Sequence, residues 1–532
     1  MLTKIILTII LVFASSFNLF PQWSTDPNSN LIVGYGLDPH ICSDSTGGCY
    51  ITYDYNSTSY PRWLALERLD RYGFKPWGIN KRILGEYPGQ SNAQIVEDGE
   101  GGVIISYEDR LENLPSWYAN VRVQRVDSNG NFLWGPTGVK VTLDEINQGS
   151  QKVVNDGEGG AVVIWVNTLA EYKVNRINSG GQKLWGDSGI VLGINGFYDP
   201  ALLVRTTGNK YVLSPERNTY KYLDETGNVF YTGSVVWLEN IISDGNGGIV
   251  FTSRGGQFPS NWQLRAHRKD SFGNSIWQVP HIVVAESLYF NSRPRIQYNS
   301  VYYYFGWSGM KNGIDRVSQF QALREDGSKL FPEGSIQLTE NTPVGSPHII
   351  PSDSGQTIFI WNDATISSST IAQKYDTLGN KMWEENGIIV SYPAITIEST
   401  TDGQGGFITM GPINQFTIVA QQVSRNGKLG QIVTNSDILQ NELVPVEILL
   451  HQNYPNPFNS STIIKYQIPK ENWVKINLYN ILGEKILTLF EGEQKAGEHE
   501  IKLNSNELPS GNYFYSLETD SHREVKKLTI LK

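Results

Sequence analysis

Five aromatic side chains are candidates for binding chemistry, because they break a pattern that most other aromatic residues of the chain follow. They are Tyr60, Trp117, Tyr118, Phe258 and Trp262, and each falls in an irregular segment after a β-rich run. Flat rings exposed on loops suit the apolar faces of sugars or a protein hot spot. The alternative is that these rings cover the ends of neighbouring repeats, and the residues leave both interpretations open.

Acidic glycine turns are the second feature with possible chemistry. The pattern D-G-x-G-G, as at Asp98 and Asp156, places a carboxylate in a tight turn, where a hard cation such as calcium could be held. Each turn supplies only one or two carboxylates, whereas calcium takes six to eight oxygen ligands. The histidines share no metal-ligand spacing. We therefore expect hairpin turns, with no metal and no cofactor.

Catalytic motifs are missing from the sequence. It contains no nucleophile elbow, phosphate loop or H-E-x-x-H pattern, so no catalytic residue can be assigned. We expect a binding or interaction module with a glycan or protein ligand on a variable loop face. The alternative is a secreted enzyme acting on an extracellular glycan or other polymer, since catalytic groups can be scattered over loops.

Composition indicates a large β protein. The 532 residues include 52 Gly, 14 Trp, 27 Tyr and 20 Phe, which suit pleated surfaces and tight turns. The formal net charge is −10, without long blocks of one sign, which argues against nucleic acid or an anionic membrane as the main partner.

The N-terminus has the three-part pattern of a secretory signal peptide. Lys4 precedes an apolar run from Ile5 to Phe13, and small residues follow at 14–16. We expect cleavage after Ser16 or as late as residue 22. The run is shorter than the ~20 residues of a membrane span, and no later window is apolar enough, so we expect no transmembrane segment in the mature chain.

Export to an oxidising compartment gives the two cysteines a meaning. Cys42 and Cys49 flank the turn S-D-S-T-G-G and would face each other on a tight hairpin. We predict a disulfide, the alternative being two buried free thiols.

A repeat of about 50 residues fills the middle of the chain. A turn of the form D-x-x-G, usually followed by an aromatic residue, recurs eight times, at Gly73, Gly130, Gly181, Gly227, Gly273, Gly327, Gly379 and Gly427. With four strands per repeat, this predicts an all-β, eight-bladed β-propeller over residues 30–435. The turn resembles the tryptophan-docking motif of quinoprotein dehydrogenases and, loosely, the Asp-box of sialidases. Both are scaffold features in those families.

The repeat also predicts how the ring closes. The eighth unit lacks its tryptophan and its last strand, and Asn30–Tyr35 resembles the missing strand. We expect residues 30–35 to complete that unit and residues 17–29 to be a loose leader. Most tryptophans, among them Trp77, Trp134 and Trp185, are expected to pack between blades.

The C-terminal segment, residues 447–532 after a linker at 436–446, shows period-two runs typical of a small immunoglobulin-like β-sandwich. It opens with NYPNPFN and continues with LYNILGEKI, SGNYFYSL and KKLTILK. These residues resemble the type A sorting domain of the type IX secretion system of Bacteroidetes. The matching motif residues are Tyr454, Pro455, Asn456, Pro457, Phe458, Asn459, Gly483, Gly511, Lys526 and Lys527. The resemblance implies that the secretion machinery is a partner, and that the protein is secreted or displayed on the cell surface.

Overall fold

The computed structural model of the protein contains two compact units, residues 1–432 and 433–532. It describes residues 23–531 except for 56–62, 79–81, 86–87, 111–117, 195–201, 258–260, 288–292, 312–314, 340–342, 364–367, 396–397, 415, 431–447, 454, 469–471, 495–496, 506–507 and 520–521.

The described part of the first unit is built of strands, with one 3-10 turn at Asp353–Gly355. The strands are β1 (Leu31–Ser43), β2 (Cys49–Tyr55), β3 (Trp63–Leu69), β4 (Arg82–Leu84), β5 (Gln90–Glu97), β6 (Val103–Arg110), β7 (Ala119–Val126), β8 (Val139–Lys140), β9 (Gln148–Asn155), β10 (Ala161–Asn167), β11 (Glu171–Ile177), β12 (Ile190–Ile194), β13 (Leu202–Thr206), β14 (Lys210–Glu216), β15 (Thr219–Leu223), β16 (Val229–Ser234), β17 (Leu238–Ser243), β18 (Ile249–Gln257), β19 (Asn261–Lys269), β20 (Ile282–Ser287), β21 (Arg295–Tyr298), β22 (Tyr303–Lys311), β23 (Asp315–Leu323), β24 (Ile336–Gln337), β25 (Pro343–Pro351), β26 (Thr357–Asp363), β27 (Ser369–Tyr375), β28 (Ile388–Ser391), β29 (Glu398–Thr401), β30 (Phe407–Pro412) and β31 (Thr417–Val423).

These strands form small antiparallel sheets in which chain order and spatial order agree. Six sheets have four strands each, namely β5–β8, β9–β12, β13–β16, β17–β20, β21–β24 and β25–β28. The four-stranded repeat predicted from the sequence is therefore confirmed. A seventh sheet, in the order β29-β30-β31-β1-β2-β3-β4, has seven strands.

The seven-stranded sheet joins two repeats through the long strand β1. Its first part, Leu31–Tyr35, pairs with β31, and its second part, Gly36–Ser43, pairs with β2. Residues 31–35 thus add a strand to the last repeat, as the sequence predicted.

Apolar packing links the repeats in series. Among the described residues, eight core clusters each draw side chains from two successive repeats. One of them joins the last repeat to the first, since Ile408 and Met410 of β30 cluster with Ile51 of β2. The first strands also lie beside one another in series, and β29 contacts β1. Burial between neighbouring sheets is thus the main apolar stabilisation of this unit.

Tryptophans that follow the D-x-x-G turn connect five of the repeats to the next one. Their indole N–H groups donate to backbone carbonyls in the D-x-x-G turn of the following repeat, at 2.9–3.4 Å. The pairs are Trp77 to Ser128, Trp134 to Ser179, Trp185 to Glu225, Trp277 to Glu325 and Trp383 to Arg425. The turn needs glycine because φ is positive there and the ring packs against it: a Cβ added to Gly181 (φ 82°) would lie 3.1 Å from Trp134.

Trp23 belongs to this series, so the expectation that residues 17–29 form a loose leader is wrong for residues 23–29. Trp23 is 2% exposed, and its indole N–H donates to the Arg71 carbonyl at 3.0 Å in the first repeat. The Ser24 carbonyl accepts from Gln421 of β31 at 2.7 Å, just as the Gly135 carbonyl, after Trp134, accepts from Gln124. Trp23 therefore supplies the tryptophan that the eighth repeat lacks in sequence.

The acidic glycine turns are hairpins held by their own aspartates. In each of the five complete turns, Asp Oδ1 accepts the N–H of the glycine four residues later at 2.7–2.8 Å. In four of them an arginine of the third strand pairs with the other carboxylate oxygen, as Arg125 does with Asp98 at 2.8 Å. In the fifth, Asp402 accepts from Gln422 instead, and burial raises the pKa of Asp402. These carboxylates serve the fold.

The predicted disulfide between Cys42 and Cys49 is wrong in this structure, where both cysteines are free. In the β1–β2 hairpin, Cys42 pairs with Tyr50, and Cys49 pairs with Ser43. Because successive residues of a strand point to opposite faces, this offset of one residue places the two thiols on opposite sides of the sheet. Cys49 joins the core toward the last repeat, whereas Cys42 packs against the core toward the second.

We predict that the secreted protein carries two free thiols. Burial raises the pKa of both thiols, so they should resist alkylation in the folded protein at neutral pH. Alkylation in denaturant without reductant, followed by mass spectrometry, should add two labels. If no label is added until the protein is reduced, Cys42 and Cys49 form a disulfide in the protein.

The described part of the C-terminal unit has seven strands in two antiparallel sheets. Its strands are β32 (Leu449–Leu450), β33 (Ser461–Ile468), β34 (Asn472–Tyr479), β35 (Lys485–Gln494), β36 (Gly497–Asn504), β37 (Gly511–Glu518) and β38 (Arg523–Ile530). The sheets have the orders β32-β33-β36 and β35-β34-β37-β38. Side chains of both sheets, such as Ile464 and Tyr515, share one buried core.

Candidate functional site

The two ends of each four-stranded sheet differ in character. In an antiparallel order the first and third connections lie at one end, and the second connection and the link to the next sheet lie at the other. The acidic glycine turns and D-x-x-G turns occupy the first end. The other, which we call the loop end, carries the connections that vary between repeats.

Trp237 lies at the loop end with an unusual backbone conformation. Its φ is 55°, and it is the only large side chain among the nine non-glycine residues with positive φ in the described part of the chain. For a bulky residue this conformation is strained, and such strain persists only where neighbouring structure enforces it. The Trp237 side chain is nevertheless 41% exposed.

Hydrogen bonds on both sides hold the Trp237 backbone in place. Its N–H donates to Asn218 Oδ1 at 3.3 Å, and its carbonyl accepts the Arg254 N–H at 3.0 Å. The next N–H, of Leu238, donates to the Arg217 carbonyl at 2.6 Å. The β14–β15 connection of one sheet and strand β18 of the next therefore hold the Trp237 backbone in this conformation.

Two guanidinium groups and a second tryptophan surround the Trp237 ring. Arg217 Cζ lies 4.9 Å from the ring centre, and Arg254 Cζ lies 5.7 Å from it and 5.1 Å from the ring centre of Trp262. The two indoles meet edge to face, with centres 6.4 Å apart and planes at 86°. Each close cation–π contact contributes roughly 0.5–2 kcal/mol, so the cluster is ordered. We call Arg217, Trp237, Arg254 and Trp262 the Trp-Arg cluster.

The charges beside the Trp-Arg cluster are unequally distributed. Glu239, which is 2% exposed, forms a salt bridge with Arg254 and so fixes the position of that guanidinium group. Arg217 and Arg293 line a small pocket together with Glu216. Burial lowers the pKa of Arg217, and the nearby charge of Arg293 lowers it further. Three arginines and two glutamates thus meet in a chain whose net charge is −10.

Of the five aromatic residues predicted from the sequence, Trp262 and Tyr118 lie in the described part of the chain. Trp262 lies in the Trp-Arg cluster on β19. Tyr118 is half-buried and precedes β7, three sheets earlier in the series. Tyr60, Trp117 and Phe258 lie outside the described residues. The sequence analysis missed Trp237, although it too departs from the repeat positions of the other tryptophans.

A second polar cluster lies on the first strands. His40 Nδ1 is 2.8 Å from Glu398 Oε1, and Lys152 donates to Gln94 Oε1 at 2.8 Å. Burial lowers the pKa of Lys152, and the Glu398 carboxylate opposes this shift. Lys152 belongs to the third sheet and Glu398 to the last repeat, so this interaction spans repeats that are not neighbours in sequence.

The pKa values of the two histidines on these strands shift in opposite directions. They occupy matching registers, His40 opposite Thr52 and His348 opposite Ile360. Burial favours neutral His40, but the hydrogen bond and charge of Glu398 outweigh it and raise the His40 pKa. Burial and then the charge of Arg295 lower the pKa of His348 well below its ordinary value.

In the C-terminal unit two of the predicted motif residues, Asn456 and Phe458, form hydrogen bonds with the last strand and the residue after it. Phe458 is 3% exposed; its N–H donates to the Thr529 carbonyl at 3.0 Å, and its carbonyl accepts from Leu531 at 2.9 Å. Asn456 Oδ1 accepts from Thr529 N–H at 2.8 Å. Pro455, Pro457 and Asn459 are the sequence neighbours of Asn456 and Phe458. Lys526 and Lys527 lie on β38. Gly483 and Gly511 have φ of 80° and 156°. Tyr454 lies outside the described residues.

Metal-binding clusters and membrane-spanning helices are both absent from the part of the chain that the structure describes. There, no three His, Cys, Asp or Glu side chains are grouped so as to hold a metal ion. No helix among the same residues is long and apolar enough to cross a membrane.

The fold and its contacts define an all-β repeat protein of four-stranded antiparallel sheets, propeller-like in class. Residues 452–531 match the family model described as "Secretion system C-terminal sorting domain". The chain therefore ends in a sorting domain of the type IX secretion system, which marks it for export. No curated protein matches the chain.

Solved structures resemble the chain only distantly. One is BamB from Moraxella catarrhalis, at 11% identity and TM-score 0.30, covering 64% of this chain and 98% of that one. Another is a polysaccharide lyase, an ulvan lyase of family PL25, at 8% identity and TM-score 0.41, covering 77% and 99%. A third is a eukaryotic initiation factor, at 10% and 0.35, covering 69% and 90%. Scores this low carry no argument about function.

Proposed function

We propose that residues 23–430 form a closed eight-bladed β-propeller carried out of the cell by the C-terminal sorting domain. Support comes from the eight core clusters between successive repeats and from the last of them, which joins the eighth repeat to the first. Trp23 and residues 31–35 would close the ring, because together they supply the eighth blade's tryptophan and outer strand. The sorting domain would form an immunoglobulin-like sandwich and hand the chain to the secretion machinery.

We further propose that the exported propeller is a binding module on the cell surface or in the medium, with its ligand at the loop end. The observation that carries this proposal is Trp237, an exposed ring held at φ 55° between two guanidinium groups. Strain kept at an exposed aromatic residue is typical of a site organised for a ligand. The preformed ring would lose little conformational entropy on binding.

A glycan and peptide array tests this function. The full secreted chain should bind at least one class of extracellular polymer, and Trp262→Ala should weaken that binding while the chain stays folded. An exposed tryptophan of the other unit, Trp473, which is 48% exposed, provides the control variant Trp473→Ala. If no probe binds, the proposed binding function fails. If Trp262→Ala binds as tightly as Trp473→Ala and the parent protein, the ligand does not bind at the loop end.

The His40–Glu398 pair favours a second candidate, an enzyme acting on an extracellular polymer. A histidine hydrogen-bonded to a carboxylate can take up and return a proton. Release of small fragments from a bound polymer, lost in Glu398→Gln while binding persists, would select this candidate over simple binding.

A further inference from the structure

The Trp-Arg cluster carries information about ligand chemistry as well as ligand position. The face of the Trp237 ring and the guanidinium groups beside it would bind two different chemical groups of one ligand. An indole face accepts the apolar face of a sugar ring, whereas a guanidinium presents a planar fork that matches a carboxylate or sulfate.

We propose that Arg217, Trp237 and Arg254 form a subsite for an anionic sugar of an extracellular polysaccharide. This inference rests on the proposed binding function of the loop end. The sugar ring lies on the exposed part of Trp237, and its carboxylate or sulfate group pairs with the guanidinium groups beside it.

The local charge supports an anionic ligand. Arg217 and Arg293 line the same pocket, where burial and then the charge of Arg293 lower the pKa of Arg217. Arg217, Arg254 and Arg293 outnumber Glu216 and Glu239 here, so the surroundings of the Trp237 ring carry a net positive charge. Near a protein surface the attraction of such a site for an anion is stronger than in bulk water. The salt bridge to Glu239 orients Arg254 toward both indoles, so its position does not depend on the ligand.

The conformation of Trp237 supports the same reading and favours a glycan over a flexible peptide. Its backbone is fixed by Asn218 and Arg254, and its ring lies among Arg217, Arg254 and Trp262. A rigid, half-exposed, flat surface fits a rigid ring. A tryptophan that served packing alone would gain nothing from the strained φ and would be buried like Trp134, which is 6% exposed.

Trp237→Gly separates binding from folding. Glycine adopts positive φ freely, so this variant relieves the strain while it removes the ring. Arg217→Gln removes one charge and leaves the Glu239–Arg254 pair intact. The matched controls are Trp473→Ala and Arg324→Gln, each of which changes an exposed side chain of the same type elsewhere.

Binding of the full secreted chain is measured by biolayer interferometry against polygalacturonate, dextran sulfate, neutral dextran and poly-glutamate. We expect the chain to bind one or both acidic polysaccharides, more weakly as salt is added, and neutral dextran far less. The preferred acidic polymer identifies carboxylate or sulfate as the recognised group. Trp237→Gly and Arg217→Gln should each weaken binding by about tenfold or more, as is typical of central contact residues, with unchanged melting temperatures and unaffected controls.

Three results would overturn the inference. Equal binding to neutral dextran would show that the ligand need not be anionic. Tighter binding to poly-glutamate would show that the ligand is an acidic peptide and not a glycan. Binding unchanged in both variants would place the ligand elsewhere and leave the proposed binding function intact. If the parent protein binds no probe on the wider array, the proposed function fails as well.

Discussion

Replacing Trp23 by alanine should destabilise the first unit by about 3–5 kcal/mol, the range for removing a buried tryptophan. The side chain is 2% exposed and lies in the core that joins the last repeat to the first. The substitution also removes the indole hydrogen bond to the Arg71 carbonyl. Because this residue fastens the two ends of the repeat series, its loss should open the seam between them.

Chemical denaturation of the secreted protein, followed by circular dichroism, measures this effect. Trp134→Ala removes the corresponding residue of another repeat and should cost a similar amount. Trp473→Ala, on the surface of the other unit, should change stability by no more than about 0.5 kcal/mol. If the Trp23→Ala protein is as stable as the Trp473→Ala protein, residues 23–29 form a loose leader and do not hold the first unit together.

Deletion of residues 447–532 should abolish export across the outer membrane. The predicted signal peptide would still deliver the chain to the periplasm, but the segment that matches the sorting domain, residues 452–531, would be missing. We expect the truncated protein to accumulate in the periplasm of a host with a type IX system, and to be lost from the medium and cell surface.

Cell fractionation with immunoblotting checks this result. The control is Trp237→Gly in the full chain, which alters the loop end and should leave export unchanged. Equal amounts of truncated and full chain outside the cell would show that the tail is not the export signal.

The sequence predicted the repeat well because repeat architecture depends on local patterns. The glycine turns require positive φ, and the D-x-x-G turns must accept a tryptophan from the preceding repeat, so both leave fixed residue types at fixed intervals. The pairing of residues 31–35 with β31 could likewise be read from their likeness to another repeat.

Features that depend on register or on distant contacts could not be read in this way. The Trp23 indole donates to the Arg71 carbonyl, and the adjacent Ser24 carbonyl accepts from Gln421. Gln421 belongs to the repeat at the far end of the unit, so these contacts join residues distant in sequence. An offset of one residue in the β1–β2 hairpin decides whether Cys42 and Cys49 face each other, and turn composition does not reveal that offset. The conformation of Trp237 depends on Asn218 in the preceding sheet. A tryptophan outside the repeat positions was the available signal for both Trp23 and Trp237.

We propose that Trp23 and residues 31–35 close a ring of eight sheets. A crystal structure of the secreted protein tests it most directly. We expect eight sheets around one axis, an N-terminus that retains Trp23, and the Trp23 indole on the Arg71 carbonyl. A ring of seven sheets, an open seam between the last and first repeats, or a mature chain that begins after Trp23 would contradict the claim.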